Sequence, residues 1–486
     1  MIFNSYSFVL FFILVLIFYW NLNLKYRLIL LFFSSLTFYG FWKIEFIPVL
    51  LFSVFIDYFA SKKIYLLKTR SQKKKYLFLS IFSNLTLLGF FKYFYFIYEN
   101  TSKVMALFGV ETIPLEIKIL LPIGISFYTF QSISYTVDVY RGLIKPEKNF
   151  ILFANYVIFF PQLVAGPILR AGEILWQFKK KKIFSTNNLN LGFQRIVLGL
   201  FLKIVLADNI SKFVDQGFLM SPKLLSAYDV LTLSYLFGFQ IYFDFAGYSH
   251  IAIGCALAMG INLKENFNFP YHSISPKFFW RKWHISLSSW VRDYIYLPLL
   301  NKKSFKFSEG GLTVDNNIEQ IKLYSISVLF VTWSIMGLWH GASWNFVFWG
   351  IWNFLLVILF RFINFFFLIE KSYISKTISW FFTLQLVMLG WIFFRSENLS
   401  DSFLMLSNLI SINNWTFLSL KENTYIVAFL ITFFYLLSPI FIRIFNLISE
   451  RSRLLSDTIL IILLSAAIML ILIYNQEINQ FIYFQF

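Results

Sequence analysis

Four histidines occur in a chain of 486 residues that is 58% hydrophobic, and two of them sit where proton chemistry could be done. His340 lies in GLWHGASWNFVFWG between two long apolar runs, with Gly337 and Gly341 allowing close backbone approach. An ionisable side chain in such a setting is costly to bury, so a functional role is the default expectation. The plainer alternative is a neutral histidine that packs two helices through one hydrogen bond. His284 lies in SPKFFWRKWHISLSSWVRDYIYLPL, residues 275–299. A desolvated imidazole is favoured in its neutral form and can take a proton from a hydroxyl, which suits general-base catalysis of acyl transfer. His284 could share that proton, orient the acceptor or steady an oxyanion.

The spacing predicts a single amphipathic helix over 275–299, capped by Ser275, with Pro276 in its first turn and Pro298 as its stop. Trp283, Leu287, Trp290 and Tyr294 fall on one face, and Arg281, His284, Ser288 and Arg292 on the other. Arg281 and Arg292 would suit a phosphate-bearing thioester donor such as acetyl-CoA. Cytoplasmic snorkelling is the competing account of each. Asp244, in QIYFDFAGYS, has no local partner and could orient a histidine, contact substrate or bridge helices. Asp138 is expected to pair with Arg141, and His250 and His272 to serve the structure. No metal site is expected, because no H-x-x-x-H or H-E-x-x-H pair occurs, and the lone Cys255 excludes an intrachain disulfide or a thiol metal site.

The elements that must position these residues are membrane helices. Apolar runs of about 20 residues recur, the length that crosses a bilayer as helix, and no alternating strand pattern accompanies them. They predict an all-α polytopic membrane protein with about eleven to thirteen crossings. The formal net charge of +18 would suggest nucleic acid in a soluble protein. Here the Lys and Arg cluster in short loops, a positive-inside signal, and no nucleic-acid partner is expected. KTRSQKKK at 68–75 must be cytoplasmic, which places the N-terminus outside; the first apolar run reads as a retained span and not a signal peptide. Segment 151–168 has basic flanks on both sides and is broken by Pro161, Gly166 and Pro167, so it reads as a re-entrant excursion walled by protein. Segment 247–263, with Gly247, Gly254 and Gly260, reads similarly, separate from a span at 230–246. The chain is expected to form one membrane domain, 1–486, with a motif-bearing core at 118–363.

Taken together, the motifs resemble the membrane-bound O-acyltransferase family, in its bacterial alginate O-acetyltransferase-like branch. The carriers are LPIGISFYTFQSISYTVDVYRG at 121–142, FFPQLVAGPILR at 159–170, KIVLADNI at 203–210, QIYFDFAGYSHIAIG at 240–254, residues 266–299, GLWHGASWNFVFWG at 337–350 and WIFFRSENL at 391–399. The resemblance implies a ring of membrane helices around a central tunnel, in a bacterial cytoplasmic membrane. It places the family's catalytic histidine on His340 and its second histidine on His284. It also implies no bound cofactor, an acyl thioester donor from the cytoplasm and an extracytoplasmic polysaccharide acceptor, reached directly or through a partner O-acetyltransferase. D-alanyl transfer from a carrier protein to a teichoic-acid-type acceptor is the alternative within the family. A transporter or non-catalytic export subunit is the alternative outside it.

Overall fold

Inside a bilayer every backbone polar group must be satisfied within the protein, and this chain does so with helices. The computed structural model describes residues 1–110, 119–300, 306–308, 311–313, 323–367, 373–475 and 479–482. Parts of the expected core, residues 118, 301–305, 309–310 and 314–322, therefore lie outside the described residues. Among those described, eight helices are long and apolar enough to span: Ile44–Leu66, Arg70–Leu107, Thr186–Phe218, Ala227–Ala258, Trp344–Ile363, Ile374–Arg395, Glu422–Arg451 and Arg453–Tyr474. Tyr6–Asn21 and Ser325–His340 are shorter and apolar. The only strands among the described residues are Lys306–Ser308 and Gly311–Thr313, paired antiparallel.

Two expected segments differ. Residues 230–246 and 247–263 are not separate elements but one helix, Ala227–Ala258, and Gly247 and Gly254 do not interrupt it. They exist for close packing. A Cβ on Gly247 would stand 2.8 Å from the Gly199 carbonyl, and one on Gly254 would stand 2.6 Å from the Gly192 carbonyl. The two glycine pairs, each seven residues apart, let the helix Thr186–Leu200 lie directly on Ala227–Ala258, the small-residue contact that drives helix association in lipid. Gly199→Ala puts a methyl group 2.5 Å from the Gly247 carbonyl, where only backbone can give way. We expect it to lower stability by roughly 1–3 kcal/mol, read as a lower thermal midpoint in detergent.

The motif at 121–142 contains the short helix Ile125–Tyr140, in which only Val137 and Tyr140 are not buried. It packs against the helices Ile47–Leu66 and Arg70–Leu88. Asp57 ties it to two spans. This fully buried carboxylate accepts from Ser80, from Asn84 Nδ2 at 2.7 Å and from Thr136 Oγ1 at 2.8 Å, so three helices share one satisfied polar network. Segment 151–168 enters as the helix Phe150–Ile158, turns, and is buried from Leu152 through Arg170. A non-helical turn at this depth is possible because protein surrounds it.

Candidate active site

Residues 275–299 do not form one helix. Ser275 accepts from the Phe278 N–H and caps a short helix, Pro276–Trp280; a second, Ile285–Val291, follows, then a wide turn over Arg292–Tyr296. Between them His284 adopts φ 40 and ψ 55, a left-handed conformation. Only Phe269 shares it among the described non-glycine residues. Such a position costs about 1–3 kcal/mol and persists only where its surroundings enforce it. Here the preceding loop does so: the Asn268 N–H donates to the Lys282 carbonyl at 3.0 Å, and the Ile285 N–H to the Asn266 carbonyl at 2.9 Å. The break rotates His284 off the basic face predicted for it. His284 is fully buried, whereas Arg281 and Arg292 remain exposed.

His284 meets Phe245 edge-on at 4.6 Å between ring centroids and faces Trp339 at 6.1 Å. Its Nδ1 lies 3.2 Å from Asn266 Oδ1. His340 ends the helix Leu323–His340 and is packed by Trp339, Trp349 and Phe394, with ring centroids 4.8–5.2 Å away. The hairpin to the next helix is tight, since a Cβ on Gly337 would stand 2.2 Å from the Phe346 carbonyl. His284 and His340 both pack against the Trp339 ring. The two histidines, 56 positions apart in sequence, thus belong to one buried site.

Lys92 was not singled out by the sequence reading. Its ammonium donates to the Trp339 carbonyl at 2.6 Å and the His340 carbonyl at 3.1 Å, and Tyr93 donates to the Leu338 carbonyl at 2.8 Å. Together they satisfy the open carbonyls that end the helix and favour its negative pole. Lys92→Met would leave those carbonyls unmet. We expect a stability loss of about 1.5–3 kcal/mol and a fall in turnover as His340 loses its fixed position, checked by thermal unfolding and initial rates on the same preparation.

Two cavities lie beside these elements, one lined by His340 and the other by Ser286. One, about 30 Å³ and lined by Lys92, Ile123, Gly124, Phe127, Trp339 and His340, holds no more than a water or two. Ile123 also lines a larger cavity of about 260 Å³ beside Phe38, Tyr39 and Trp42. The other, about 150 Å³, is lined by Arg170, Lys264, Ser286, Ser289 and Arg292. Ser286 in turn touches Asn266. Arg292 is therefore at a cavity mouth, its Nε 2.7 Å from Asp293 Oδ1, and buried Arg170 pairs with the same carboxylate.

The remaining predicted site residues lie elsewhere. Arg281 is exposed over the Phe278 ring. Ser288 donates to the Trp283 carbonyl at 3.1 Å, closing the second short helix. Asp244 accepts from Lys203 at 2.7 Å and from the Ile482 N–H at 2.9 Å, and lines neither cavity. Asp138 accepts from Tyr294 at 2.8 Å. His250 lies against Arg195, and His272 stacks on Tyr435 with burial lowering its pKa. No group of three or more His, Cys, Asp or Glu that could hold a metal occurs among the described residues.

The chain is thus a multi-pass helical membrane protein with two buried histidines from distant elements packed on one tryptophan. The family model for the membrane-bound O-acyltransferase family matches residues 144–313. "Probable alginate O-acetylase AlgI" of Azotobacter vinelandii is 38% identical over 352 residues, 72% of this chain and 65% of that protein. Its namesake in Pseudomonas aeruginosa is 36% identical over 76% of this chain and 68% of that protein. "Peptidoglycan O-acetyltransferase" of Helicobacter pylori is 33% identical over 74% and 69%. The chain spans about two thirds of the length of these curated relatives. It belongs to the membrane-bound O-acyltransferase family.

Proposed function

We propose that this protein is an O-acyltransferase of a bacterial cytoplasmic membrane. It moves an acetyl group from a cytoplasmic thioester, acetyl-CoA, toward a hydroxyl of an extracytoplasmic polysaccharide. The observation that carries the reading is the packing of two buried histidines, His284 and His340, against one tryptophan, Trp339, with His340 lining a cavity. The whole chain acts as one domain, with 118–363 supplying its chemistry. By the distribution of Lys and Arg, the Arg292 cavity opens to the cytoplasm and the Ile123 cavity to the outside. The donor enters past Arg292, whose guanidinium meets its phosphates. His340 takes the proton of the acceptor hydroxyl as its oxygen attacks the thioester carbonyl. The tetrahedral intermediate expels the thiolate, which takes a proton as it leaves. Direct attack of this kind needs no acyl-enzyme. Of the other expected contacts, Arg281 retains a place at the cytoplasmic rim, and Ser288 and Asp244 support the fold around the site. The acceptor is either the polymer itself or a separate extracytoplasmic transferase that passes the group on.

The test is transfer of label from radiolabelled acetyl-CoA into cell-surface polymer by membranes carrying the protein, against membranes lacking it. Label in the polymer supports the reading. Labelling only from a D-alanyl carrier protein would replace the acetyl donor, and labelling from neither would return the transport alternative.

A further inference from the structure

We propose that Asn266 is a positioning residue that holds neutral His284 with its proton on Nδ1, so that the ring's lone pair is on Nε2. The inference deepens the acyl-transfer reading by deciding which of three roles His284 can play. Asn266 is fully buried, and its backbone carbonyl is fixed by the Ile285 N–H at 2.9 Å. Its side-chain oxygen receives the Ser286 backbone N–H at 3.2 Å and Ser286 Oγ at 2.9 Å, while its Nδ2 donates to Ser249 Oγ at 3.2 Å.

A backbone N–H can only donate. The atom facing Ser286 is therefore the amide oxygen, because the flipped amide would set an NH₂ group against an N–H. The same oxygen is 3.2 Å from His284 Nδ1, and an amide oxygen can only accept. Nδ1 is then the donor. Ser286 Oγ also lies 3.5 Å from Nδ1, but its single proton has the nearer acceptor in Asn266. The left-handed turn at His284 is what brings the imidazole and the Ser286 N–H onto one side-chain oxygen.

A neutral His284 protonated on Nδ1 cannot give an Nε2 proton to a developing oxyanion. It can accept one. Within the pair it shares the proton that leaves the acceptor hydroxyl, and the Asn266 oxygen steadies the Nδ1–H of the cation that forms. The proton ends on the departing thiolate, so the pair returns to its starting state.

Two measurements decide it. With four histidines in the chain, ¹⁵N-histidine labelling of the full-length protein in lipid gives a spectrum in which the His284 resonances are assigned by their loss in His284→Ala. A protonated Nδ1 and unprotonated Nε2 are expected at neutral pH; the reverse overturns the assignment. Asn266→Asp, which keeps an acceptor at the same place and adds charge, should hold transfer within about tenfold of wild type and move the acidic limb of its pH–rate profile upward by about one unit. Asn266→Leu at matched folded protein should lower kcat about 100-fold with little change in KM. If Asn266→Leu does not fold, the aspartate profile decides, and an unmoved limb overturns the role. If the wild-type spectrum is as expected but no acyl group is transferred, the acyl-transfer reading fails while the tautomer assignment stands.

Discussion

His340→Ala is expected to reduce acyl transfer by about 10²- to 10⁴-fold while leaving the protein folded. The loss follows from position. His340 is 3% exposed, ends a helix whose carbonyls are held by Lys92 and Tyr93, and lines the small cavity shared with Gly124 and Phe127. The other titratable side chain lining that cavity, Lys92, is engaged by the Trp339 and His340 carbonyls. Truncation leaves a void among Trp339, Trp349 and Phe394, so some stability will be lost as well. His340→Gln, closer in size and hydrogen-bonding capacity but no base, separates the two effects. It should restore the thermal midpoint and not the rate. Transfer by His340→Ala at the wild-type rate would remove the proposed mechanism and favour the transport alternative.

Lys203→Met is expected to be the most damaging single change outside the site, lowering stability by about 3–5 kcal/mol. Lys203 is 1% exposed and donates to Asp208 at 2.7 Å, to Asp244 at 2.7 Å and to the Gln480 carbonyl at 3.0 Å. Removing the ammonium leaves two carboxylates facing each other without the cation that bridges them. Yield and thermal midpoint in detergent report this directly. Neutralising the acids as well, in Lys203→Met with Asp208→Asn and Asp244→Asn, should recover much of the loss, because the penalty lies in the uncompensated charge. If the triple variant is no more stable than Lys203→Met, the charge account is wrong. Asp244→Asn alone, assayed for transfer, tests the role first expected of Asp244. A purely structural residue changes yield and midpoint and leaves KM for the donor unaltered.

The helical membrane architecture was legible in the apolar runs, because lipid allows few other solutions. The glycines were harder. Gly247 and Gly254 read as breaks in one dimension, and only the partner helix reveals that they are contact points. His284 and His340 stood out through their scarcity and surroundings. The turn that aims His284 inward was not legible, since a helical period assumes regular backbone, and the loop hydrogen bonds that override it come from residues 266–268. Lys92 and Lys203 carry a usable signal in the sequence, a lone cation inside an apolar run. Asn266 carried none. Nothing local marks an asparagine that acts on a ring 18 positions away.

The charged triad also bears on the order in which the molecule can be assembled. Gln480 meets Lys203 across 277 positions, Ile482 meets Asp244 across 238, and Asn4 donates to the Asn479 carbonyl across 475. When the helices bearing Lys203 and Asp244 enter the bilayer, the residues that complete their shell have yet to be synthesised. The ion pair must therefore enter lipid as a provisional unit, neutralising itself, with its last partners following 238 and 277 positions later. A chain halted before residue 479 holds these buried charges without their hydrogen bonds to Gln480 and Ile482.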